Sequence, residues 1–205
     1  MEQNEIYYEL RRRIIRLTLA PESVLNLSDI AKEFNVSRTP VKEALIYLQA
    51  EDWVMRQNSH FIVTPLSLER IRQITEIRLV LEVQANIWAM ERITPLELEH
   101  LNQLRDQIPT FNEENSSQDF IDHDYTIHKT IYKISKNAQM ANMLERILGH
   151  YIRFWLSTPR HIDPKLFFSE VAKLIEAING KDENLIRKCT TSQIRNSVTQ
   201  IMGVQ

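Results

Sequence analysis

Apolar residues recur along this chain at intervals of three and four, the spacing that lines one face of a helix. Ile6, Leu10, Ile14 and Leu17 predict a first amphipathic helix over 5–19, which Pro21 ends. Ile30, Ala31 and Phe34 pack a short second helix, with Ser28 as its N-cap and Asp29 in the first turn. Residues 35–37 read as a tight turn. Thr39 caps a third helix, Pro40 fits its first position, and Val41, Ala44, Leu45 and Leu48 give it a buried face up to Glu51. The period then changes. Residues 53–56 and 60–63, separated by Gln57, Asn58 and Ser59, predict a two-stranded hairpin that ends before Pro65.

From Ser67 onward only helical spacing appears. Helices are predicted from 68 to about 91, from Pro95 to about 111, and from 119 to about 135. A fourth follows Asn137 to about 157, and the last two, over about 165–179 and 182–202, are split by Gly180. The polar stretch 112–118 is a loop, and residues 65–67 are a linker. The fold class is therefore mostly α: a winged helix-turn-helix with a small β hairpin over 1–66, then an antiparallel bundle of about six helices over 67–205.

Composition narrows this without changing it. The 205 residues are 43% hydrophobic and 25% charged, as in an ordinary globular protein. Three glycines argue against a turn-rich sheet fold and against glycine-rich phosphate loops. Cys189 is the single cysteine, so no internal disulfide forms, and no apolar run predicts export or a membrane span; a cytoplasmic location is expected. Net charge is −2, and residues 1–65 carry eight Lys or Arg against nine Asp or Glu, so any DNA affinity rests on local placement. Basic residues cluster at Arg11, Arg12, Arg13 and Arg16 and again at Arg38 and Lys42; a solvated helix face is the competing reading of each cluster.

Arg38, Thr39, Lys42 and Glu43 fall at the exposed N-terminal end of the third helix. Helix-turn-helix proteins direct that end into the major groove, where Arg and Lys reach guanine edges or phosphates. Through FNVSRTPVKEALIYLQAEDWV and the preceding LSDIAKE, the sequence resembles the GntR superfamily of bacterial transcription regulators. The resemblance implies that Ser37, Arg38, Thr39 and Lys42 contact double-stranded DNA, helped by Arg11 of the first helix and by Ser59 and His60 at the wing tip. Two positions depart from the family pattern. Lys42 stands where Arg is usual, which keeps the charge and loses the bidentate fork. His60 stands where Gly is usual in the wing.

The helical remainder resembles the FCD effector-binding domain of the FadR subfamily, through IRLVLE at 77–82, DYTIH at 124–128 with ISKN at 134–137, and EAINGKD at 176–182. In that family many members bind a divalent metal through an Asp and a His one turn apart plus two further His. Asp124 and His128 match the first pair, and the two other positions fall on Val171 and Gln193. Valine cannot ligate and glutamine is a poor ligand for transition metals. The usual three-His site is incomplete, so no cofactor is expected; Asp124 and His128 would be the ligands of any divalent metal held here.

Arg78 and Glu82 lie one turn apart among apolar neighbours. They read either as a mutual salt bridge or, by the resemblance, with Arg78 as the anchor of a carboxylate effector. Asn137 either lines the same pocket or caps its helix. The effector set is thus Arg78, Asp124, His128, Asn137 and Gln193. The whole implies a homodimeric transcription regulator, a repressor by expectation, that reads a palindromic operator and responds to a small organic acid. Two alternatives stand beside it: a dimeric DNA-binding protein without an effector, and an enzyme using Asp124 and His128 as an acid–base pair.

Overall fold

A computed structural model describes residues 3–112, 114–157 and 163–202, with side chains from 4 to 199 within those ranges. The described elements run α1 (Gln3–Ile15), β1 (Val24–Leu25), α2 (Leu27–Glu33), α3 (Arg38–Ala50), β2 (Val54–Gln57), β3 (His60–Val63), α4 (Leu68–Arg92), α5 (Pro95–Gln107), a 3-10 turn (Ile108–Thr110), α6 (Ser117–Ile134), α7 (Ala138–Ser157), α8 (Pro164–Gly180) and α9 (Glu183–Met202). Backbone proximity divides the chain into two compact units, Met1–Leu68 with Ile152–Ser157, and Glu69–Tyr151 with Thr158–Gln205.

The first unit is built around a single apolar core. Ile6, Leu10 and Ile14 of α1 meet Val41, Ala44, Leu45 and Leu48 of α3, and Phe61 and Val63 of β3 close the core together with Trp53, which precedes β2. The helical pattern of the sequence fixes these faces, because only one stripe of each helix is apolar. The sheet has three antiparallel strands in the order β1-β3-β2, against the two that the sequence predicts. Its additional member pairs Val24 with Ile62 and Leu25 with Phe61. On the other edge of β3, Gln57 faces His60 across a two-residue turn, in which Asn58 takes a left-handed φ of 55°. Arg153, itself buried, donates from Nη2 to the carbonyl oxygen of Thr64 at 2.6 Å.

Helix ends depart from expectation in instructive ways. Asn26 caps α2, its Oδ1 accepting from Ser28 N at 2.8 Å, so Ser28 lies inside the helix it was expected to cap. α3 starts at Arg38 with Ser37 as N-cap, and the Ser37 side chain makes no capping bond; Thr39 is the second helical residue. α1 stops at Ile15, short of Leu19, where Leu17 turns left-handed with φ 58°.

In the second unit α8 packs on α9, α5 on α6 and α8, and α6 on α8. Six helices are described after residue 67, the number expected. Thr94 and Ser116 form capping boxes with Glu97 and Asp119, which set the starts of α5 and α6. α8 ends in a Schellman turn: Lys181, with φ 54°, donates its N–H to Ile178 O, and Asp182 donates to Ala177 O at 3.0 Å. Gly180 is therefore the last residue of the helix rather than its breaker. Asp182 Oδ1 then accepts from Leu185 N at 2.9 Å and starts α9. The single thiol, Cys189 of α9, is buried.

Candidate functional site

The reading helix presents one continuous solvent face. Arg38, Thr39, Lys42 and Glu43 are exposed, while Val41, Ala44, Leu45 and Leu48 are withdrawn into the core. Arg38 and Lys42 are one turn apart, about 6 Å along the axis, and so lie on the same side. The first-turn N–H groups of α3 receive no cap from the exposed Ser37. Such a helix start carries partial positive charge that suits a phosphate oxygen. Ser59 and His60 are exposed at the wing tip.

The arginines of α1 are arranged differently. Arg11 is half-buried with its guanidinium carbon 5.3 Å from the centre of the Trp53 ring. Arg12 pairs with Glu9 at 2.7 Å, and Arg13 pairs with both Glu9 at 2.7 Å and Glu33 at 2.6 Å. Their hydrogen bonds hold the Glu9 carboxyl down at about 2. Arg12 and Arg13 are thus engaged within the fold, and a packing role for Arg11 stands beside its expected contact with DNA.

The second assembly is buried and polar. Arg78, Glu82 and Asn86 follow one another at four-residue steps on α4, all withdrawn from solvent. Asp124, His128 and Tyr132 follow the same spacing on α6, His128 and Tyr132 buried and Asp124 partly so. Glu82 is central: Arg78 donates to it from Nε at 2.7 Å and from Nη2 at 3.3 Å, and His128 Nδ1 lies 3.1 Å from its Oε1. The Arg78 guanidinium also stands 4.4 Å over the Tyr151 ring. Gln193 of α9 approaches from the other side, its Nε2 3.0 Å from His128 Nε2, and Asp124 Oδ1 is 3.6 Å from that same nitrogen. One step along, Asn86 Nδ2 donates to Thr190 Oγ1 at 2.9 Å.

Electrostatics follow from that layout. Burial alone would raise the Glu82 carboxyl, but the charge of Arg78 and then the bond to His128 hold it well below the ordinary range. Burial raises Asp124. For His128 burial opposes the charged ring, and Asp124 and then Glu82 outweigh it and raise its pKa. With the Gln193 amide nitrogen facing Nε2, that nitrogen is the acceptor, and the proton of the neutral ring is assigned to Nδ1, 3.1 Å from Glu82 Oε1. A second ring proton requires the amide to turn and offer its oxygen.

The expected pieces therefore divide. Arg78, Asp124, His128 and Gln193 come together, and the Arg78–Glu82 salt bridge is present. Asn137 does not join them; its Oδ1 accepts from Met140 N at 3.1 Å and caps α7. Tyr132, Tyr151 and the Asn86–Thr190 pair belong to the polar cluster and were not anticipated. Continuing the four-residue steps from Glu82 to Asn86 and from His128 to Tyr132 would have found two of them.

A divalent metal does not fit these residues. Val171, the position at which the family resemblance expects a ligand, is a fully buried apolar side chain, and the amide of Gln193 already faces Nε2 of His128. Among the described residues no three His, Cys, Asp or Glu side chains converge as metal ligands.

Comparison with known proteins decides the family. Residues 2–60 match the profile of the bacterial regulatory proteins of the gntR family, and residues 73–196 match the FCD domain. The chain belongs to the GntR family of regulators with an FCD domain. As a GntR-family protein it is a DNA-binding transcription regulator and not an enzyme. It is 29% identical over 191 residues to the gluconate operon transcriptional repressor of Bacillus subtilis, covering 88% of this chain and 77% of that one. It is 25% identical over 202 residues to the HTH-type transcriptional repressor RspR of Escherichia coli, covering 96% and 89%. In fold it is similar to the solved structure of E. coli McbR/YncC, with a TM-score of 0.86 over 98% of this chain and 97% of that one at 21% identity. Among the described residues of this GntR-family protein, no helix is long and apolar enough to cross a membrane.

Proposed function

We propose that this regulator is a cytoplasmic repressor that binds a palindromic operator as a homodimer and is controlled by a small carboxylate metabolite. The exposed Arg38–Thr39–Lys42 face at the uncapped start of α3 carries the reading. Two such heads related by a twofold axis match a palindrome, and Ile77 and Val80, both exposed on α4, offer apolar surface to a second copy. Residues 1–66 form the reader and 67–205 the effector and dimerisation domain in this account, with Arg78, Asp124, His128 and Gln193 around the effector. The effector need only bind one arrangement of heads better than the other, with coupling of about 1–3 kcal/mol. Fluorescence anisotropy with the promoter beside its own gene tests the reader. Arg38→Ala is expected to cost about 1–3 kcal/mol of specific affinity while leaving the weak binding to random DNA nearly unchanged. Equal loss on both DNAs would reduce Arg38 to a phosphate contact.

A second reading, a dimeric DNA-binding protein without an effector, is favoured by one observation. Glu82 already neutralises Arg78, so Arg78 does not stand as an uncompensated cation for an anion to meet. Thermal denaturation across a panel of carboxylic acids separates the two, since a sensor is stabilised by its ligand.

A further inference from the structure

His128 Nε2 is the point on which the buried cluster converges. Asp124 Oδ1 stands 3.6 Å from it, one helical turn away on α6, and the Gln193 amide reaches it at 3.0 Å from α9. Behind the ring, Glu82 lies 3.1 Å from Nδ1 and is itself held by Arg78 at 2.7 Å. A carboxylate behind the imidazole, fixed by its own partner, is the outer arrangement that orients a metal-ligating histidine. What is missing is the ligand set, not its support.

We propose that Gln193 is the specificity-determining residue of this cluster: its amide occupies the lone pair of His128 that a metal would take, so the site excludes metal and is one side chain away from a zinc centre. The amide N–H donates to Nε2, which closes that nitrogen to any cation. Turned the other way, the amide offers a neutral oxygen, while zinc sites are built from thiolate, imidazole and carboxylate, with at least three protein ligands. Asp124 and His128 supply two. Imidazole or carboxylate in the place of the Gln193 amide supplies the third, and water can complete the tetrahedron. This inference goes beyond the effector reading, and its readout does not depend on whether an effector binds.

Metal content of the untagged full-length protein tests it, after equilibrium dialysis against buffered zinc and elemental analysis. The wild type is expected to hold far less than one zinc per chain and to bind the promoter DNA equally with and without EDTA. Gln193→His is expected to hold about one zinc per chain, removed by EDTA, and to melt at higher temperature with zinc than without. Stoichiometric zinc in the wild type, or loss of its DNA binding in EDTA, overturns the proposal. So does a folded Gln193→His that takes up no zinc. Gln193→Glu, closer in size, carries the same expectation if the imidazole is not accommodated, and absence of zinc from both variants also overturns it.

Discussion

Glu97 is held from three sides at the start of α5. Its carboxylate accepts from Thr94 N at 3.0 Å and from Thr94 Oγ1 at 2.8 Å, and it pairs with Lys136. The bond to Lys136 first, and then those to Thr94, overcome burial and bring its carboxyl down to about 2. A folded-state pKa below the unfolded one means that the unfolded chain binds more protons in between, so stability falls as pH falls through that window. The difference in urea midpoint between wild type and Glu97→Gln should hold steady from neutral pH down to about 5 and close between about 4 and 2. A difference that widens on acidification would contradict this. At this scale the sequence was readable wherever a residue sat on a clear helical stripe. The Arg78–Glu82 pair is of that kind. The stacking of Arg11 on Trp53 was not, because those residues are far apart in sequence and no local pattern joins them.

Helices as elements were legible in number and type, and their ends were less so. Ends are decided by which side chain reaches the first N–H groups, and Asn26, Ser28, Ser37 and Thr39 are all competent, so spacing cannot choose between neighbours. β1 has two residues, too few to show a period, and it exists because β3 offers it an edge. The left-handed positions explain how a chain with three glycines makes tight helix ends: Asn35, Asp52, Lys136 and Lys181 adopt φ between 54° and 64° instead. Around Lys181 the residues are one place out of step with their preferences, since Gly180 sits in the helix and a lysine takes the turn. A Cβ at Gly180 would meet nothing within 4 Å. Gly180→Ala is expected to stabilise by about 0.5–1 kcal/mol through helix propensity, and Lys181→Gly by about 1 kcal/mol through relief of the left-handed cost. Both should raise the melting temperature, and a fall in either would show that the turn is held by something other than its backbone.

At the scale of the molecule, the buried ion pairs constrain how the effector reading can be tested. Arg78→Ala looks from sequence like a selective way to remove an effector anchor. In the structure it leaves Glu82, fully buried, without its charged partner, beside His128 and Tyr132. Breaking one side of such a pair costs about 3–5 kcal/mol. Arg78→Ala should therefore lower the urea midpoint strongly, and an unchanged midpoint would show that the pair does not hold the fold. The overall division into reader and helical bundle was visible because the period of the apolar residues changes at the hairpin and then stays helical. The buried cluster was visible only in part, because its members come from α4, α6, α7 and α9 and meet only after folding.

One feature of the bundle also makes the molecule its own instrument. Cys189 is the single thiol of the chain and is buried on α9, which packs against α8. Alkylation of that thiol in native buffer can proceed only when the helix moves away from its neighbours, so the labelling rate divided by that of an exposed cysteine gives the equilibrium constant for the opening. The same sulfur therefore clocks the breathing of the FCD half without registering motion in the half that carries the helix-turn-helix.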